Sequence, residues 1–270
     1  MKASIESMAN LTAELESLLR LRSFPVGLRR LTDQSELDEL DYDAWKTFEH
    51  KPTGCQFITM ARTIGWSFAI TEEMIRGCGF AWAMGLGDEP DPETAGNVVG
   101  TWFESMEDAK KWRAGLPRVS GKIETLLMGP VSAKAFLPEV IWVYGSPSQM
   151  ILLINAIQWS GYERLEFSTT GESSCMDAPH QCYATGKPQL SLPCYGERWF
   201  GGAKEEELSM ALPSSQMEKI VAGLKALHST GYRYPIPATS SETNVEPSLA
   251  KMYGPGKREA REKTGKSFWD

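Results

Sequence analysis

The sequence predicts an α/β or α+β fold, in which helices pack on a mixed β-sheet. Apolar residues recur at three- and four-residue spacings over residues 5–19, which is typical of an amphipathic helix with one buried stripe. Residues 139–144 form a nearly continuous apolar run, which is typical of a strand buried on both faces. Because both patterns occur in one chain, we expect a sheet covered by helices.

The first half of the chain contains one clear strand and several helix signals. Ser23-Phe24-Pro25 ends the N-terminal helix, and residues 26–31 read as a strand. A turn at residues 51–54 precedes a helix over about residues 56–64, with Cys55 at its start. Thr71 is predicted to cap a further helix, and residues 103–112 are predicted to be helical.

The second half is easier to read because Ser, Pro and Gly mark its boundaries. After the strand at residues 139–144, Ser146 caps a helix that has Pro147 at its first position and Gly161 beyond its end. Residues 164–168 are predicted as a strand that completes a β-α-β unit with a right-handed crossover. Further strands are expected at residues 189–192 and 208–212, and a capping box at residues 215–218 opens the last helix.

Length and composition indicate one folded domain with a tail. The chain has 270 residues, of which 41% are hydrophobic, and a net charge of −7 that argues against a nucleic-acid partner. We expect a compact domain over residues 1–230, with residues 1–130 and 131–230 as two similar candidate lobes that each carry cysteine-bearing loops. Residues 231–270 are predicted to be a polar, basic C-terminal tail.

The location inferred from the sequence is the cytoplasm. Acidic residues interrupt any signal-like apolar segment at the N-terminus, and Pro, Gly and Glu interrupt the longest apolar stretch, so no membrane span is predicted. The five cysteines are then expected to be reduced thiols. The expected partners are a small molecule or a redox protein, and a homo-oligomer is left open.

Cysteines are the main candidates for chemistry, because nucleotide-binding glycine loops and a serine nucleophile elbow are missing. Thiolates prefer zinc, copper(I) and iron–sulfur clusters. Four of the cysteines lie in turns or beside Gly and Pro, outside any apolar stripe, and we predict them as metal ligands: Cys55, Cys78, Cys175 and Cys194. At a helix N-terminus, the pKa of Cys55 is expected to be lowered.

The chain resembles a prokaryotic family known as domain of unknown function 169, over roughly residues 8–228. The resemblance rests on the four cysteine segments, on Gln149 and on several short motifs, which are Pro25-Val26, Ala61-Arg62, Gly85-Leu86, Thr185-Gly186-Lys187-Pro188, Pro193-Cys194-Tyr195-Gly196-Glu197-Arg198 and Glu207-Leu208. It implies a cytoplasmic protein of bacteria and archaea, frequent in anaerobes, in which four cysteines would suit an iron–sulfur cluster.

Three functions stay open on the sequence alone. The first is a cysteine-ligated metal or iron–sulfur protein of anaerobic redox metabolism. The second is a module without a redox centre that binds a small anionic or aromatic ligand through Arg62, Gln149, Lys187 and Arg198. The third is a thiol enzyme that uses Cys55 or Cys194 as a nucleophile.

Overall fold

A computed structural model describes residues 4–40 and 42–236. Six strands form one sheet: β1 (Val26–Leu31), β2 (Phe68–Ile70), β3 (Thr125–Pro130), β4 (Val140–Gly145), β5 (Gln189–Ser191) and β6 (Leu208–Pro213). The α-helices of the described residues are α1 (Ile5–Leu19), α2 (Gln34–Asp38), α3 (Gly54–Thr59), α4 (Gly79–Met84), α5 (Met106–Gly115), α6 (Pro147–Gln158), α7 (Gln181–Thr185), α8 (Tyr195–Gly201) and α9 (Met217–Ser229). The predicted combination of helices and a sheet is confirmed, but all strand pairs are antiparallel, so the sheet does not have the mixed strand directions that were predicted.

The strand order is β2-β3-β1-β4-β6-β5, and every pairing is antiparallel. The order is symmetric about the centre of the sheet. Counted inward from one edge, the strands are β2, β3 and β1, and counted inward from the other edge they are β5, β6 and β4. In both halves these are the second, third and first strands along the chain. The central pair, β1 and β4, joins the halves through Val26 opposite Trp142. The two candidate lobes therefore contribute equal numbers of strands to one continuous sheet.

The repeated order extends to the segments between the strands. A π-helical turn follows α3 at Met60–Ile64, and another precedes α7 at Met176–His180. A short 3₁₀ turn follows the third strand of each half, at Val131–Ala133 and Ser214–Gln216. Each half thus contains, in order, a strand, a helix that adjoins a π turn, a strand, a short helix, a strand and a 3₁₀ turn, while α2, α5 and the 3₁₀ turn at Pro92–Val98 occur in the first half and α6 occurs in the second.

Helices cover both faces of the sheet. Trp142 and Tyr144 of β4 point into a core shared with α3, α4 and α7, whereas Ile141 and Val143 point into a core shared with α1, α6 and α9. Alternate residues of one strand supply both cores because strand side chains alternate between faces. This explains the continuous apolar run in the sequence.

Three local predictions are wrong. Residues 164–168 form no strand, so the β-α-β crossover does not exist and the chain instead reaches β5 through α7. Thr71 begins only a turn, and the next helix starts after Cys78. Ser215 lies in the 3₁₀ turn that follows Pro213, so α9 begins at Met217 without the predicted side-chain cap. Of the predicted tail, residues 237–270 lie outside the described residues.

Candidate functional site: four thiols around a buried carboxylate

The four predicted ligand cysteines occupy equivalent places in the two halves. Cys55 is the second residue of α3 and Cys175 precedes the π turn at Met176–His180, so both lie between the first and second strands of their half. Cys78 precedes α4 and Cys194 precedes α8, between the second and third strands. All four begin helices that cover the same face of the sheet.

Glycines let these helices approach one another closely. A Cβ atom on Gly54 would lie 2.6 Å from Cγ of Phe80, so α3 and α4 meet beside Cys55 and Cys78. A Cβ on Gly79 would overlap the methyl group of Met176, which joins the Cys78 and Cys175 segments. Gly201 lies against the backbone of Cys55, so α8 packs on α3.

The thiols are near enough to affect one another's ionisation. Burial raises the pKa of Cys175 well above its ordinary value, and Cys55, Cys194 and Cys78 add to the effect. Burial also raises the pKa of Cys55, with contributions from Glu197, Cys194 and Cys78. The lowered pKa predicted for Cys55 is therefore wrong, because desolvation outweighs the effect of the helix terminus. A raised pKa does not favour Cys55 as the nucleophile of a thiol enzyme.

Glu197 is a buried carboxylate at this site, with only 1% of its surface exposed. The hydroxyl groups of Tyr144 and Ser174 both donate hydrogen bonds to it. The backbone N–H of Cys194 in turn donates to Ser174 Oγ over 2.8 Å. Burial raises the pKa of Glu197 despite these hydrogen bonds. Glu197 and Ser174 thus connect the cysteine segments of the second half, since Ser174 directly precedes Cys175.

Arg62 is buried behind this carboxylate. Its guanidinium group forms two hydrogen bonds of 3.0 Å with the carboxylate of Glu207 and stacks 4.1 Å above the ring of Tyr144. Burial raises the pKa of Glu207, but the hydrogen bonds from Arg62 and from the Lys204 backbone, together with the positive charges of both residues, outweigh this, and the net pKa is lowered. The ion pair leaves Arg62 engaged with protein groups.

The other residues predicted for ligand binding are dispersed and also have protein partners. Gln149 accepts from the Ser146 backbone and donates to Leu19 O and Arg20 O, so it joins α6 to α1. Lys187 pairs with Glu163 at 2.7 Å in a cleft of about 640 Å³. Arg198 donates to the carbonyl groups of Pro193 and Lys204. Among the described residues, no hydrogen bond or ion pair joins these side chains to one another.

Several residues at the site were not predicted as site residues. His180 is fully buried, and its ring nitrogens lie 2.9 Å from the carbonyl oxygens of Cys175 and Phe80. Glu197 belongs to the Cys-Tyr-Gly-Glu-Arg motif, and Tyr144 ends the apolar strand β4. For Glu197, its position in the motif was a sequence signal that could have identified it as a site residue. The sequence around Tyr144 and Ser174 contains no such signal.

Two features are absent from the part of the chain that the structure describes. No three histidine, cysteine or carboxylate side chains there are already arranged to hold a metal ion. Over the same residues, no helix has both the length and the apolar character needed to cross a bilayer.

Comparison with known proteins places the chain in a family. Residues 14–223 match the model of domain of unknown function 169, described as uncharacterised ArCR, and the chain belongs to this family. An uncharacterized protein of Methanocaldococcus jannaschii is 27% identical over 217 residues, which cover 78% of this chain and 91% of that relative. No solved structure matches the chain.

Proposed function

We propose that the protein is a cytoplasmic iron–sulfur protein of anaerobic redox metabolism, whose cluster is ligated by Cys55, Cys78, Cys175 and Cys194. The observation that carries the proposal is that the four segments that carry these cysteines pack against one another on one face of the sheet. Four cysteine thiolates are the usual ligand set of a [4Fe–4S] cluster. Bound there, such a cluster would supply one-electron transfer.

The positions of Cys55 and Cys194 beside opposite ends of α8 favour a polynuclear cluster over a single ion. Cys55 packs against Gly201 at the C-terminal end of α8, whereas Cys194 lies at the N-terminal end of the same helix. Four thiolates around one zinc ion would have to lie about 3.8 Å apart, since each Zn–S bond is about 2.3 Å. A cluster of several atoms spans a wider set of ligands.

The surroundings of the thiols suit a redox centre. Cys175 and Cys194 are buried, and Cys55 and Cys78 are half-buried, so the ligands lie close to the surface without being fully exposed. The Ser174 hydroxyl, held by Glu197, fixes the backbone of Cys194. Hydrogen bonds and burial around the ligand sulfurs are the means by which proteins adjust cluster potentials.

Protonation of the thiols makes loading depend on pH. Burial raises the pKa of Cys55 and of Cys175, so both are thiols at neutral pH in the metal-free protein. Ligation requires thiolates and therefore releases protons. We expect loading to be favoured as pH rises and the loaded centre to be lost on acidification.

The test is anaerobic reconstitution with iron and sulfide, followed by iron and acid-labile sulfide analysis and visible spectroscopy. We expect a brown protein with about four iron atoms per chain. Cys55→Ser, Cys78→Ser, Cys175→Ser and Cys194→Ser should each lose most of the iron and colour. Cys182→Ser is the matched control, because Cys182 is buried under the same face and is not among the proposed ligands.

A colourless, iron-free protein after reconstitution would refute the proposal. So would an equal loss of iron in Cys182→Ser and in the four ligand variants, because the loss would then reflect general damage to the core.

A further inference from the structure

Helix α8 has an exposed aromatic face beside the thiols. Tyr195, Trp199 and Phe200 are 61%, 70% and 57% exposed, and Leu192, just before the helix, is 55% exposed. The rings of Tyr195 and Trp199 lie 5.7 Å apart between centroids. Single exposed apolar residues are ordinary, but a contiguous group of large ones marks an interaction site. We call these four residues the α8 patch.

The opposite side of the same helix faces the proposed centre. Cys194 precedes α8, Glu197 is buried within it, and Gly201 at its end packs against Cys55. One short helix therefore separates the α8 patch from the thiols. A protein seated on the patch would lie next to the proposed centre.

The size of the α8 patch favours a transient partner. Aromatic side chains offer roughly 150–250 Å² each, so three of them at 57–70% exposure present on the order of 400 Å². A stable complex buries about 800 Å² on each partner, whereas redox encounters bury less. The patch is too small to hold a stable homodimer by itself and is large enough for an encounter of the redox type.

We propose that the α8 patch is the docking surface for a small electron-carrier protein. This inference rests on the proposed iron–sulfur function. In the encounter, the reduced carrier would lose one electron and a cluster held by the four cysteines would gain it, with no covalent bond formed or broken. The contact is made by aromatic rings without a cluster of like charges, so docking should depend only weakly on ionic strength.

The test is stopped-flow reduction of the reconstituted, oxidised full-length protein, with a reduced bacterial-type ferredoxin as the carrier and dithionite as a small reductant. We expect Trp199→Ser and Phe200→Ser each to lower the second-order rate with ferredoxin by about tenfold, since buried aromatic residues dominate such contacts. The rate with dithionite should be unchanged. Trp159→Ser is the matched control, because Trp159 is 50% exposed just beyond α6, which covers the other face of the sheet.

Three results would overturn the inference. Unchanged ferredoxin rates in both patch variants would show that the carrier docks elsewhere. An equal loss with dithionite would place the effect at the centre itself. A dimeric wild type that becomes monomeric in Trp199→Ser, measured by light scattering, would assign the α8 patch to a second copy. Failure of the proposed function would look different, because no visible chromophore would form in the wild-type protein.

Discussion

The two faces of the sheet are covered by helices of different kinds. On one face, α6 and α9 have 12 and 13 residues and bury regular apolar stripes against α1. On the other face, the helices that follow the cysteines have five to seven residues, and two of them, α3 and α7, adjoin π turns. The long helices form one close-packed layer, which we call the packing layer. The short helices place many helix ends, with their polar backbone groups, on the same face of the sheet. We call this layer of short helices the thiol layer.

Buried ionisable groups follow the same division. Arg62, Glu197, Glu207 and His180 all lie on the thiol side, whereas the buried polar residues of α1 and α6, Thr12 and Gln149, are not ionisable. Buried charges and polar groups contribute stability only while their partners are in place. The thiol layer should therefore be more sensitive than the packing layer to the loss of one polar partner and to pH.

The largest effect is expected from Glu207→Ala, which leaves the Arg62 guanidinium buried and unpaired. Breaking a buried ion pair from one side costs about 3–5 kcal/mol. Urea unfolding of the metal-free protein measures the change in free energy. Glu206→Ala is the control, since Glu206 is exposed and lies 3.8 Å from Arg22, and should cost about 0.5 kcal/mol or less. Similar costs for both variants would contradict the difference between the layers.

A pH effect of similar size is expected from His180. Burial lowers its pKa from 6.5 to about 4, so the unfolded chain binds a proton that the folded protein does not bind between these values. The neutral ring therefore makes its full contribution to the free energy of unfolding above about pH 6.5. This contribution falls by about 3 kcal/mol as pH drops toward 4. Glu197 and Asp177 have raised pKa values and act in the opposite direction, because their folded forms take up protons first.

Comparison of the wild type with His180→Gln separates these effects. The glutamine amide can donate to carbonyl groups without titrating. The difference in unfolding free energy between the two proteins, measured from pH 7 to pH 4, should shrink as pH falls. A constant difference across this range would show that His180 does not carry the pH dependence.

The smallest effect is expected where α6 begins. Gln149→Ala removes one half of a capping box with Ser146 and two hydrogen bonds to the end of α1. We expect a loss of about 1–2 kcal/mol in thermal or urea unfolding. Iron content after reconstitution should be unchanged, because the residue has a structural place in the packing layer. A loss of iron in this variant would contradict that assignment.

Local sequence chemistry predicts some elements of the packing layer and fails at others, in each case for a physical reason. Ser146, Pro147 and the apolar residues of α6 define a helix by local chemistry alone, and the structure has it at Pro147–Gln158. The capping box predicted at Ser215 fails because Pro213 ends β6 and a 3₁₀ turn intervenes. Residues 164–168 have an alternating pattern, but whether such a segment finds a partner strand depends on tertiary structure.

The prediction of site residues from the sequence has the same limit. The four cysteines could be selected from their turn-like settings, since this is a local property of the sequence. Glu197 could not be assigned to a buried site, because its helix is short and carries exposed aromatic residues. Its burial follows from the packing of α8 against α3 and from hydrogen bonds with Tyr144 and Ser174, which are distant in sequence.

The matching strand order of the two halves has a consequence for how the thiols are supplied. Each half carries only two of the four cysteines, so a polypeptide of half this length would need a twin, joined along the β1–β4 seam, to complete the set. Because both halves belong to a single polypeptide, their amino-acid sequences can differ. Glu197 lies three residues after Cys194, whereas Ala81 lies three residues after Cys78. The cysteine segments of the two halves thereby differ by one buried carboxyl group, an asymmetry that two identical chains could not provide.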